Sequence, residues 1–170
     1  MAVMDAFLSA WSGARQTFGT GDPESGGRFD GSDRLTGLRS TLELAAPGTR
    51  WTGAAAQAYR RATTDHGDVL TELAGLDQRM RAEIDRAAAV VTAGRTDLDA
   101  VRTWVTDIAA TLPRTAHGEL MLYPVVRTGI TRVGDIVRRS NAELGRIGDT
   151  LRGLGADYAA LTAQARRDPK

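Results

Sequence analysis

The chain contains no cysteine, so disulfides and thiolate metal sites are excluded and the redox compartment stays open. Lysine occurs once, at Lys170, and the other 21 of the 22 basic residues are arginine. Formal charge is nearly balanced at +1 with no concentrated basic block, which removes the electrostatic footprint of a nucleic-acid binder. Only two histidines, His66 and His117, are present, too far apart in sequence for a local metal motif. Aromatic residues make up 5% against 42% hydrophobic residues in total. A core is therefore affordable within these 170 residues, a length that favours one domain, 1–170. No apolar run approaches the ~18 residues a membrane span needs. Met1 to Trp11 lacks a basic n-region and is interrupted by Asp5 and Ser9, so no cleaved leader is expected.

Proline is also missing from the 65 positions between Pro47 and Pro113, and that gap is filled by helical periodicity. Met4, Phe7, Leu8 and Trp11 are spaced for a short helix, expected over 3–17. Residues 19–31 hold five glycines and Pro23 and read as a loop. Ser32 is placed to cap a helix over 32–46, with Asp33 in its first turn and Leu35, Leu38, Leu42 and Ala45 on its stripe. Pro47-Gly48 should end it. From Tyr59 through Leu112, apolar positions recur in steps of three and four, predicting one helix over 54–111, roughly 85 Å long. His66 lies on that seam and reads as a partly buried structural residue. Two successive steps of four at Leu76-Met80-Ile84 form a stutter. Pro113 and Pro124 bracket an expected break. A final helix, 127–167, carries an unbroken heptad stripe: Ile130, Val133, Val137, Ser140, Leu144, Ile147, Leu151, Leu154, Tyr158, Leu161 and Ala165. No segment alternates like a strand. The expected fold is all-α, an elongated antiparallel bundle with a long helical hairpin joined by a Trp-x-Gly turn.

Trp51-Thr52-Gly53 is the turn in question. Glycine permits the backbone angles of a tight interhelical connection, and tryptophan can bury a large surface where helix ends meet. The tripeptide alone is weak evidence, because Trp11-Ser12-Gly13 repeats it. Only Trp51 follows a capped helix and precedes a long one. Elsewhere, Asp65, Asp68, Glu72 and Asp77 read as a solvated face rather than an acid/base set, since no nucleophile or phosphate loop accompanies them. Leu120, Met121, Leu122, Tyr123 and Val125 form an apolar segment that either makes an exposed tip touching a partner or lipid, or tucks into the bundle end. The stretch 125–170 has nine basic residues against five acidic, a net of +4, most simply a solvated helix surface.

The run Ala45-Ala46-Pro47-Gly48-Thr49-Arg50-Trp51-Thr52-Gly53-Ala54-Ala55-Ala56-Gln57-Ala58-Tyr59 resembles the segment around the Trp-x-Gly turn of the EspA/EspE family. These are mycobacterial proteins associated with type VII (ESX) secretion. The likeness continues through His66, Glu72 to Asp77 and Leu122-Tyr123-Pro124-Val125-Val126, covering most of 35–130. The arginine, alanine and glycine bias agrees with GC-rich, actinobacterial coding. Two departures stand out. The residues four places after Tyr59, Tyr123 and Tyr158 are Thr63, Arg127 and Thr162, so no Tyr-x-x-x-Asp/Glu export signal is present. After Tyr123 the chain turns amphipathic and arginine-rich, where the family continues strongly hydrophobic, so membrane insertion does not carry over.

The resemblance implies a non-enzymatic, ESX secretion-associated helical protein without cofactors. It would be exported to the medium or envelope by a leaderless route after a cytoplasmic stage. Trp51, Gly53 and Tyr59 would be the partner or secretion motif. Its partners would be a helical protein, the secretion machinery or a chaperone, with homo-oligomerisation left open. Two alternatives stand beside it: the N-terminal targeting module of a longer secreted toxin, and a cytoplasmic scaffold or chaperone.

Overall fold

The computed structural model describes residues 2–46, 48 and 50–167. Four helices follow in order: α1 (Ala2–Thr17), α2 (Ser32–Leu44), α3 (Ala54–Thr111) and α4 (Ala116–Arg167), with a short 3-10 turn at Gly26–Phe29. Among the described residues there is no strand, and the chain is all-α. α3 and α4 run antiparallel against each other and contribute to two compact units. One comprises residues 1–23 and 86–147, the other 24–85 and 148–170.

The first unit packs α1 against the second half of α3 and the beginning of α4. Phe7, Leu98, Val105, Leu122, Val126 and Val133 form its buried core, with Val101 and Ile136 alongside. Trp11 is half-buried, and its indole N–H donates to the Leu98 carbonyl at 2.9 Å. Arginines cover the outer faces of two tryptophans: Arg102 lies 4.6 Å from the Trp11 ring and Arg132 lies 4.4 Å from Trp104. Such cation–π contacts contribute on the order of 0.5–1 kcal/mol at exposed sites. Arg95 donates to the carbonyls of Phe18 and Gly21 and so closes the chain leaving α1. Beside it the Phe18 ring lies against Gly94. A Cβ at 94 would come within 2.2 Å of that ring, so this glycine in mid-helix answers to a close approach, and α3 continues through it unbroken.

The second unit packs α2 and the first half of α3 with the end of α4. Leu76, Leu154 and Leu161 are buried, with Val69, Leu73, Met80, Leu151 and Tyr158 packed around them. α2 runs antiparallel to α3: the Gly31 amide donates to Asp77 at 3.0 Å, Arg39 to the Thr71 hydroxyl at 2.8 Å, and the Tyr59 hydroxyl to the Ala45 carbonyl at 3.4 Å.

Several boundaries and environments differ from the sequence reading. α4 starts at Ala116, eleven residues before the expected 127, because the Thr115 hydroxyl accepts from the Gly118 amide and caps the helix. Pro124 lies inside α4 on its exposed side. Its neighbours Leu122 and Val126 are buried in the core, and this burial holds the helix through a proline that removes one backbone donor. α2 ends at Leu44 rather than 46, since the residue before a proline is disfavoured in the helical region. Pro47 itself lies outside the described residues. The α2 cap is not the Ser32 side chain. Ser32 is buried within the first turn, and the Asp30 carboxylate accepts its amide at 3.0 Å.

The α3 seam holds from Val69 to Leu112, but Tyr59, Ala62 and His66 are exposed. In these first turns a different stripe is covered: Ala56 and Gly67 are buried and Thr63 is half-buried, on the side where Arg39 of α2 lies. His66 therefore projects to solvent instead of into the seam. The α4 stripe holds from Val133 to Leu161, with Val133, Ser140, Ile147, Leu154 and Leu161 buried, whereas its expected ends, Ile130 and Ala165, are exposed.

Candidate partner-recognition site

Two of the three residues singled out around the Trp-x-Gly turn stand together at the α2–α3 end of the second unit. Gly53 adopts φ +103°, a left-handed backbone region that side chains resist. Its carbonyl accepts the first bond of α3, from the Gln57 amide at 3.1 Å. The Trp51 amide bonds the Gly48 carbonyl at 3.2 Å, which turns the chain just before Gly53. This geometry places the Trp51 ring against Tyr59, one turn into α3, with centroids 5.5 Å apart and planes tilted by 50°. Tilted aromatic pairs of this kind contribute roughly 0.5–1.5 kcal/mol beyond area burial.

The pair is not hidden. Trp51 is 44% exposed, Tyr59 39%, and Leu44 at the end of α2 88%. The tryptophan thus does not plug a core as an interhelical wedge would. It rests against the Tyr59 ring and is presented to solvent. Rigid, exposed aromatic side chains are the residue type that anchors protein interfaces. Thr63 occupies the position four after Tyr59, and its hydroxyl donates back to the Tyr59 carbonyl at 2.9 Å. The twin tripeptide has another fate, because Trp11 and Gly13 lie within α1. Leu44 was absent from the sequence-based set. Its position past the last covered residue of α2 is its only signal, and that depends on where α2 ends.

The segment Leu120 to Val125 is split by the helix it belongs to. Leu122 is buried and Val125 is half-buried against the core, whereas Leu120, Met121 and Tyr123 face solvent. The segment is thus divided between a buried and an exposed face of α4. Of the four carboxylates, Asp65, Asp68 and Glu72 are exposed as expected. Asp77 is instead a junction. It accepts from the Gly31 amide and from the Tyr158 hydroxyl, tying α2 and α4 to α3. Burial, then the adjoining Asp77 carboxylate, pushes the Tyr158 phenol well above its ordinary range.

Among the described residues no cluster of histidine, aspartate and glutamate is placed to hold a metal ion. A groove of about 760 Å³ in the first unit is lined by Asp97, Asp135, Arg132, Arg138 and Arg139, without a serine, threonine or histidine. A second, of about 800 Å³ in the other unit, sets His66 among Asp65, Asp68 and Glu72, again without a serine or threonine to activate.

Residues 18–100 match the EspA/EspE family model. That span includes α2, Trp51, Gly53 and Tyr59, and it ends before Leu122 to Val126. The chain is also similar to the ESX-1 secretion-associated protein EspE of Mycolicibacterium smegmatis, with 32% identity over 99 residues. The similar stretch is 58% of this chain and 19% of that relative, so the chain spans only a small part of the relative's length. No solved structure matches the chain. Resemblance to the EspA/EspE family is thus found both from the residues around Trp51 and from the family model.

Proposed function

We propose, from the resemblance of residues 18–100 to the EspA/EspE family, that this chain is a non-enzymatic protein of type VII secretion that works through helix–helix recognition of a partner. The observation that carries the reading is the exposed Trp51–Tyr59 pair inside the matched span. Gly53 sets the turn, Tyr59 braces the ring, and Trp51 with Leu44 offers the apolar anchor. A partner helix covering this end would desolvate Trp51 and gain the several kcal/mol that one buried aromatic hot spot supplies. The export signal would come from the partner or from a segment beyond these residues, since no tyrosine here has an acidic residue four places on. The proposed route runs from the cytoplasm to the envelope or medium. The test is affinity capture of the whole chain from cells that hold the secretion locus, with wild type beside Trp51→Ala. A helical protein recovered with wild type and lost with the variant supports the reading. Equal recovery with both overturns the role of Trp51.

A second reading is favoured by the small share of the relative that is matched. In it, these residues are the targeting module of a longer secreted protein. Fusing residues 1–170 to a reporter enzyme and finding the reporter in the medium only with the locus intact would support it. A reporter retained in the cells would contradict it.

A further inference from the structure

The line of α3 that meets α4 in the second unit is left open over the first turns of α3. Val69 and Leu73 pack around the buried Leu154 and Leu161 and close α3 against α4. Ala62 and Ala58 stand on the same line of the helix, about two and three turns earlier, and both are exposed. With Gln164 and Ala165 of α4 they line a groove of about 800 Å³ inside this unit. The groove follows α3 from Ala58 to Val69, roughly 16 Å at the helical rise per residue. Helix axes approach most closely where the side chains at the contact are small, and the floor here is alanine.

Four charged residues run along one edge of the groove. Arg61, Asp65, Asp68 and Glu72 are spaced i, i+4, i+7 and i+11 on α3. All four are exposed, and none forms an ion pair with a described residue. Farther along α3, Asp85, Asp97 and Asp99 each meet an arginine at 3.7–3.9 Å. The edge beside the groove therefore carries one arginine against three carboxylates, a net of −2 that nothing among the described residues neutralises.

We propose that this groove receives an amphipathic helix of another protein, one with small or medium apolar residues along its buried line and arginine or lysine along one edge. A straight slot of about three helical turns has the shape of a helix, laid in by its apolar line. The negative edge selects the charge of what enters, because complementary charge favours the right partner and like charge excludes the wrong one. An anionic bilayer is disfavoured by the same three carboxylates, and an alanine floor offers acyl chains little surface to bury. A second copy is disfavoured as well. A twofold antiparallel pairing of two α3 helices about Asp65 would set these carboxylates against one another. The inference stands on residues other than Trp51, and recognition at that ring can fail without touching it.

The experiment is fluorescence anisotropy of the whole chain with two labelled helical peptides of about 20 residues, sharing one alanine–leucine line and differing only in arginine or glutamate along the edge. The arginine peptide is expected to bind at least about tenfold more tightly than the glutamate peptide, and to weaken as salt rises. Asp65→Lys combined with Glu72→Lys should lower its affinity roughly tenfold, through lost attraction and added repulsion. Ala62→Arg, which fills the floor, should abolish binding. These positions are exposed, so circular dichroism should be unchanged, which separates loss of binding from loss of fold. Trp51→Ala should bind the arginine peptide as wild type does. No binding of the arginine peptide, equal binding of both peptides, or unchanged binding by the double lysine variant overturns the proposal. Loss of binding in Trp51→Ala overturns it too, because the peptide would then be seated at the ring. So does self-association of the chain in sedimentation velocity that Ala62→Arg relieves, because a second copy would then fill the groove.

Discussion

Trp51 and Asp77 show how differently two residues of one unit can be used. Trp51 is presented, so Trp51→Ala should cost only about 0.5–1.5 kcal/mol of unfolding free energy, the loss of its tilted pair with Tyr59. Partner affinity should nevertheless fall by about 2 kcal/mol or more, roughly thirtyfold, if the ring is a hot spot. Titration calorimetry with the captured partner and urea unfolding of the chain alone measure the two effects. Asp77 is the reverse. Asp77→Asn removes the charged acceptor that holds the Gly31 amide and the Tyr158 hydroxyl, and should destabilise by about 1.5–3 kcal/mol in urea unfolding. Asp30 makes the same kind of junction in a titratable form. Hydrogen bonds from Ser32, then from the Arg81 guanidinium, lower its carboxyl to about 2. A depressed folded-state value contributes stability above the ordinary carboxylate range near 3.9 and loses it as pH falls. The helical signal should therefore weaken between about pH 4 and pH 2, and Asp30→Asn should remove that component. Trp51 could be singled out in the sequence because its type is conspicuous. The junction role of Asp77 could not, because its two partners lie 46 and 81 positions away.

At the level of elements, the long helices were legible wherever apolar residues repeat against one neighbour. The α4 stripe from Val133 to Leu161 and the α3 seam from Val69 to Leu112 are covered as periodicity predicts. Leu154→Ala, at a fully buried position of that stripe, should cost about 2–5 kcal/mol in urea unfolding. Legibility failed where α3 meets two neighbours. Its first turns offer the small residues Ala56 and Gly67 to α2, and small residues give no hydrophobic stripe to read, so the apolar periodicity runs past the covered seam and takes in the exposed His66. The beginning of α4 was missed for a related reason. A proline at 124 argues against helix locally, and the burial of Leu122 and Val126 that outweighs it exists only after folding. The same early start turns one apolar segment into a buried face and a wet one.

At the level of the whole molecule, each unit has an apolar core of its own, and each leaves one apolar face in water. In one unit the face is Leu44, Trp51 and Tyr59, within the span that resembles the EspA/EspE family. In the other it is Leu120, Met121 and Tyr123, outside that span. The first is proposed to meet a partner helix in type VII secretion. All-α architecture and the family resemblance followed from the sequence. The division into two units did not, since the stripes of α3 and α4 run on past residues 85 and 147 without interruption. The most direct test of the central claim is the amount of this chain in culture filtrate of its native host, with the ESX locus intact and with it deleted. The protein is expected in the filtrate of the intact strain, falling to background on deletion while cell-pellet levels persist. Unchanged filtrate levels after deletion would contradict it.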